Sequence, residues 1–164
     1  MKKLTALLAG LAIAMPLAAA AQDAAGTATK DSYRFLIVPK VVHPWFDKVN
    51  DGAQMAAEAL KAQTGADIEI VYSAPQTADV VQQVQIVESA ISTRPDGIAI
   101  DLLDPSGNRG SLEAAQSQDI PLVIFDSIPP EGMAIPYIGS DFCEQAKIAS
   151  RRLVEVLGGE GEVA

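Results

Sequence analysis

Residues 33–60, YRFLIVPKVVHPWFDKVNDGAQMAAEAL, decide the fold. Residues 34–38 read as an apolar strand, which runs into a turn carrying Lys40, His43, Pro44, Trp45 and Phe46. A helix follows: Pro44 suits its first turn, and Phe46, Val49, Ala53, Ala56, Ala57 and Leu60 recur at helical spacing. In an open parallel α/β sheet, ligands bind at turns beyond the C-terminal ends of strands. The chain's single Trp and single His both fall in this turn.

The unit repeats along the chain. Residues 67–73 (DIEIVYS) alternate as a strand, after which Thr77 is expected to cap a helix carrying Val80, Val84, Val87 and Ile91 on one face. Residues 97–103 (GIAIDLL) read as a third strand, closed by a turn at Asp104-Pro105-Ser106-Gly107, and residues 111–118 as a short helix. Residues 120–125 (IPLVIF) read as a fourth strand, followed by Asp126, Ser127 and a Pro-rich loop, with a short edge strand within 135–138. Asp141, with Glu144 three residues on, resembles a capping box opening a helix to Leu157, stopped by Gly158-Gly159. Strands alternating with helices at this rhythm predict an α/β fold, a parallel sheet with helices on both faces.

The flanks set the compartment. Residues 1–21 combine Lys2 and Lys3, an Ala/Leu-rich run and terminal small residues. This is the layout of a secretory signal peptide, with cleavage expected after Ala21 and export to a bacterial periplasm. Residues 22–31 are polar and Ala/Thr-rich, and read as a loose arm. The formal net charge is -9, and loss of Lys2 and Lys3 with the leader takes it to -11. That balance, with a pI near 4.4, argues against nucleic acid or anionic lipid as a partner. A single cysteine, Cys143, precludes an internal disulfide, and it is expected as a small buried side chain in its helix.

Catalysis finds no machinery in these residues. The turn over residues 39–46 contains no glycine, which excludes a dinucleotide fingerprint or phosphate loop there, and one His with one Cys leaves no HExxH or paired CxxC. No cofactor, metal site or catalytic residue is expected. Polar residues do gather at strand ends: Lys40 and His43, Asp101 and Asp104, Asp126 and Ser127. A flat aromatic face beside carboxylates suits a sugar, which presents C–H groups on one face and hydroxyls at its edge. Each candidate has a structural alternative: Asp104 as turn or cap, His43 as cap, Trp45 packing the helix start, and Phe46 in the core.

The segments LIVPKVVHPWFDKVNDGAQMAAEAL, DGIAIDLLDP, IPLVIFDS and YIGSDFCEQAKIASRRLVEVLGGEGEVA, in that order, resemble the periplasmic sugar-binding proteins of ABC importers. The type is that related to ribose-binding protein and to LacI-type effector domains. The resemblance implies that Trp45 and Phe46 stack on a sugar, that Asp126 grips its hydroxyls, and that Gly139, Ser140 and Asp141 form the first hinge crossing. Ribose-type members carry Asn where His43 stands and Arg where Ser127 stands. The Pro39-Lys40 and Asp126-Ser127 pairs are more like the branch that binds rhamnose or autoinducer-2, which adds Lys40 to the ligand contacts. The implied organisation is a ligand-binding lobe over residues 32–140 and, over 141–164, the start of a second lobe cut short. The implied partners are a small sugar or polyol and the permease subunits of an inner-membrane importer, with a sensory module presenting the ligand to a chemoreceptor or kinase as the alternative.

Overall fold

The computed structural model describes residues 28–162. The expected leader, its cleavage site and residues 22–27 of the arm lie outside the described residues. The elements run β1 (Ser32–Val38), α1 (Pro44–Thr64), β2 (Asp67–Tyr72), α2 (Val80–Ser92), β3 (Gly97–Ile100), α3 (Pro105–Ser117), β4 (Leu122–Phe125), β5 (Tyr137–Ile138) and α4 (Phe142–Val156). The five strands form one sheet in the order β2-β1-β3-β4-β5, and every pairing is parallel.

Alternation along the strands divides the residues between two faces. Leu36 and Val38 of β1, Ile98 and Ile100 of β3, and Leu122 and Ile124 of β4 pack with Val87 and Ile91 of α2 and Leu112 and Ala115 of α3. Ile37 points the other way, to the side where α1 buries Phe46 and Ala57. Coverage there is incomplete among the described residues: Phe35, Ala99, Val123 and Phe125 are half-buried and Ile138 is exposed. The end of the arm is tied down by Thr29 and Lys30, whose backbone N–H groups donate to the Tyr33 hydroxyl, and by an ion pair between Lys30 and Asp96.

Four local expectations are corrected, three of them in or beside helices. Helix α3 begins at Pro105 rather than near Ser111, because Asp104 and Pro105 act as N-cap and first residue of a helix instead of a turn. Gly107 lies inside it because α2 comes so close that an added Cβ would meet Val80 Cγ1 at 2.7 Å. Asp79, not Thr77, caps α2: its carboxylate accepts from the Val81 N–H at 2.7 Å, while the Thr77 hydroxyl meets Gln82 Nε2. Cys143 is exposed. It lies on α4, none of whose residues is buried against the other described residues. Among the described residues no helix is long and apolar enough to cross a membrane.

Strand β3 stops at Ile100, short of the expected Leu103, because side chains take over its backbone donors. The Leu102 N–H donates to Ser127 Oγ at 2.7 Å and the Leu103 N–H to Gln83 Oε1 at 3.0 Å. Gln83, fully buried on α2, also donates from Nε2 to the carbonyls of Pro39 at 3.1 Å and Asp101 at 2.7 Å, and accepts from Asn108 Nδ2 at 2.9 Å. One amide thus joins the ends of β1 and β3 to α2 and α3. Gln83→Ala would strand buried backbone groups and open a cavity, and is expected to cost about 3–5 kcal/mol of unfolding free energy. Urea denaturation measures it, and a loss below about 1 kcal/mol would show that other groups fill those bonds.

Candidate ligand-binding site

The C-terminal edge of the sheet gathers charge. Lys40 lies two residues beyond β1, Asp101 directly follows β3, and Asp126 directly follows β4. The Lys40 ammonium is 3.0 Å from Asp101 Oδ1 and 3.6 Å from Asp126 Oδ2, so one cation bridges two carboxylates. The Asp101 side chain is fully buried, whereas those of Lys40 and Asp126 are 30% and 34% exposed. Asp126 adopts a left-handed backbone with φ 57°, a conformation that Asp tolerates better than most residues. Its N–H donates to the Ile138 carbonyl at 3.0 Å, which ties the acid to β5.

A second group forms at the N-terminus of α1. His43 is the N-cap: its Nδ1 accepts from the Trp45 N–H at 3.1 Å. Trp45 is 51% exposed and stands edge-on to the buried Phe46 ring, with centroids 4.9 Å apart and planes at 86°. Phe46 therefore braces an indole whose surface remains in water. The turn itself is fixed by the Val42 N–H, which donates to the Pro75 carbonyl at 3.0 Å.

The remaining candidates hold backbone. Asp104 caps α3, accepting from the Ser106 N–H at 2.9 Å. The Ser127 hydroxyl, in a buried residue, accepts from Leu102 and joins the loops after β3 and β4. At the expected crossing, the Tyr137 hydroxyl donates to the Ser140 carbonyl at 2.8 Å, and its ring lies against Gly139, where a Cβ would come within 2.3 Å of the Tyr137 oxygen. Asp141 caps α4, accepting from the Glu144 N–H at 2.9 Å. The return half of the capping box is absent, since the Glu144 carboxylate pairs with Lys147 and Arg151.

The electrostatics centre on Asp101. Burial pushes its carboxyl from 3.8 up to about 6, against the pull of Lys40 and of the Ser127 hydroxyl and with a small push from Asp126. Neither of its oxygens has a well-aligned hydrogen bond. Among the described residues no group of three or more His, Cys, Asp or Glu is placed to hold a metal ion. Asp101, which in the sequence is one of the polar residues at strand ends and not among the expected ligand contacts, is the acid that closes the apolar run GIAI.

Over residues 34–164 the sequence matches the periplasmic binding protein domain family. The chain belongs to that family. It is 27% identical over 128 residues to the D-apiose import binding protein of Actinobacillus succinogenes, an alignment covering 77% of this chain and 39% of that protein. The fold superposes with a TM-score of 0.73 on an ABC transporter solute-binding protein from Burkholderia graminis in complex with D-arabinose, at 28% identity, covering 82% of this chain and 45% of the other. A glucose-galactose binding protein from Geobacillus stearothermophilus gives a TM-score of 0.68 at 27% identity, covering 80% and 45%. The chain spans less than half the length of each of these relatives.

The raised pKa of Asp101 makes a stability prediction. The folded state binds this proton more tightly than the unfolded chain, so the group costs nothing below about pH 4 and its cost grows as pH rises through about 6. At neutral pH that cost is on the order of 1–3 kcal/mol. Asp101→Asn should therefore stabilise the protein at pH 7.5 and lose most of that advantage by pH 4.5. Chemical denaturation at the two pH values tests it, and an advantage independent of pH would contradict the assignment.

Proposed function

We propose that the protein is the sugar-capturing component of an ABC importer, taking a small sugar or polyol from the periplasm and delivering it to the permease. The observation that carries this reading is a half-exposed Trp45, braced by Phe46, on the same sheet edge as the Lys40–Asp126 pair. Indole offers a flat apolar face for sugar C–H groups, and the ion pair offers charged donors and acceptors for hydroxyls. The names of the related proteins, which specify D-apiose, D-arabinose and glucose-galactose, support a monosaccharide ligand.

In this reading Lys40, Trp45 and Asp126 touch the sugar. Phe46 braces the indole from beneath, His43 and Asp104 hold their helix starts, and Ser127 holds the loop beside Asp126. Residues 32–140 form one lobe, and Gly139, Ser140 and Asp141 form the hinge to a second that begins with α4. The exposed apolar side chains of α4, Phe142, Ile148 and Val154 among them, support its belonging to a separate packing unit.

Calorimetric titration of the full chain with pentoses, hexoses, deoxyhexoses and polyols tests the reading. One class is expected to bind. Trp45→Ala should weaken it by about 1–3 kcal/mol, and Asp126→Asn by roughly 1.5–3 kcal/mol. Failure of every sugar to bind, or unchanged affinity in both variants, would overturn the proposal.

A further inference from the structure

Several acids at helix starts and strand edges of this fold have evident structural duties. Asp79, Asp104 and Asp141 cap helices, and Asp96 pairs with Lys30 while accepting from the Arg34 N–H at 2.8 Å. Asp101 caps no helix, and besides Lys40 its carboxylate has the Ser127 hydroxyl and the Asp126 carboxylate for polar neighbours. Its backbone is satisfied without the side chain, since its N–H donates to the Val38 carbonyl and its carbonyl accepts from Gln83. Its carboxylate is fully buried, lacks an aligned hydrogen bond, and has Lys40 as its ion-pair partner. A charged acid kept out of water is costly to hold in a fold, so its place beside an ammonium at the sheet edge calls for a reason beyond packing.

We infer that Asp101 is a positioning residue, the buried counter-ion that holds the Lys40 ammonium at the sheet edge, against Asp126, for the ligand's hydroxyls. This rests on the sugar-binding reading of the same site. Lysine is a flexible stem with a strongly hydrated head, and it loses much rotamer freedom when fixed. A half-exposed pair such as Lys40–Asp126 holds it weakly, because water screens the attraction. Asp101, beneath the surface and 0.6 Å nearer to the ammonium (3.0 against 3.6 Å), supplies the fixed anchor. Preorganising a donor in this way lowers the cost of ordering it when ligand arrives.

The charged groups facing Asp101 are Lys40 from the turn after β1 and Asp126 from the end of β4. Helices α2 and α3 present the neutral amides of Gln83 and Asn108, and the Asp104 carboxylate is engaged at the start of α3. Protonating Asp101 in mild acid therefore releases the lysine, and affinity should fall as pH drops through about 6.

A double-mutant cycle tests this in the full chain, with D-arabinose, D-glucose and D-galactose as calorimetric probes. Asp101→Asn should weaken binding about tenfold beside Lys40 but less than about twofold in a Lys40→Met background. It should also abolish the loss of affinity below pH 6. An equal loss in both backgrounds, or no loss in either, would overturn the inference. Acetylation of Lys40 by acetic anhydride, followed by peptide mass spectrometry, needs no sugar. Asp101→Asn should speed it several-fold at pH 8, and an unchanged rate overturns the pairing. If no probe binds wild type, the sugar reading fails by itself, and the acetylation rate still decides whether Asp101 holds Lys40.

Discussion

Gln83 commits every hydrogen-bonding atom of its amide to the places where β1 and β3 end. Its two donors take the carbonyls of Pro39 and Asp101, and its oxygen takes the Leu103 N–H and Asn108 Nδ2. Parallel strands leave their last backbone groups unpaired where the sheet stops, and buried groups of that kind are costly. Meeting them from one side chain fixes the exits of two strands relative to each other and to α2 and α3. Lys40 follows Pro39 and Asp101 is itself a partner, so the contact between ammonium and carboxylate inherits its geometry from this amide. Ser127 repeats the device between β3 and β4 through the Leu102 N–H.

On that base the site divides into two chemistries. Packing and a helix cap, through Phe46 and His43, present the Trp45 indole to water. Beside β3 and β4, electrostatics dominate: two carboxylates share one ammonium, and the deeper one is held in an environment that resists its charge. In open parallel α/β sheets, ligands bind beyond such an edge, at the C-terminal ends of the strands. Asp126, in a left-handed conformation that Asp tolerates, holds its carboxylate 3.6 Å from the Lys40 ammonium.

Much of this was legible in the sequence because strand and helix periods differ. The five strands, helices α1, α2 and α4, the first turn of α1 at Pro44 and the Asp141 cap follow from spacing and cap chemistry. Helix α3 was cut short because Asp-Pro-Ser-Gly serves equally as a turn and as a helix start, and packing against α2 decides between them. Cys143 was misplaced because burial of a helix face depends on what lies opposite, which the helix's own sequence does not carry. Gln83 was overlooked, yet it stands three residues after Val80 and four before Val87, on the apolar face itself. A polar residue there has to find partners inside, and that is the signal the sequence carries for it. The Lys40–Asp101 pairing joins residues 61 apart and depends on strand order, which spacing alone does not fix.

The most direct test of the account is a crystal structure of the full chain with the sugar that it binds most tightly. The account predicts an apolar sugar face stacked on the Trp45 indole, and hydroxyls within about 3 Å of the Asp126 carboxylate and Lys40 ammonium. Asp101 should lie beneath Lys40 without touching the sugar. A sugar bound elsewhere on the protein, leaving Trp45 and Asp126 in water, would contradict it.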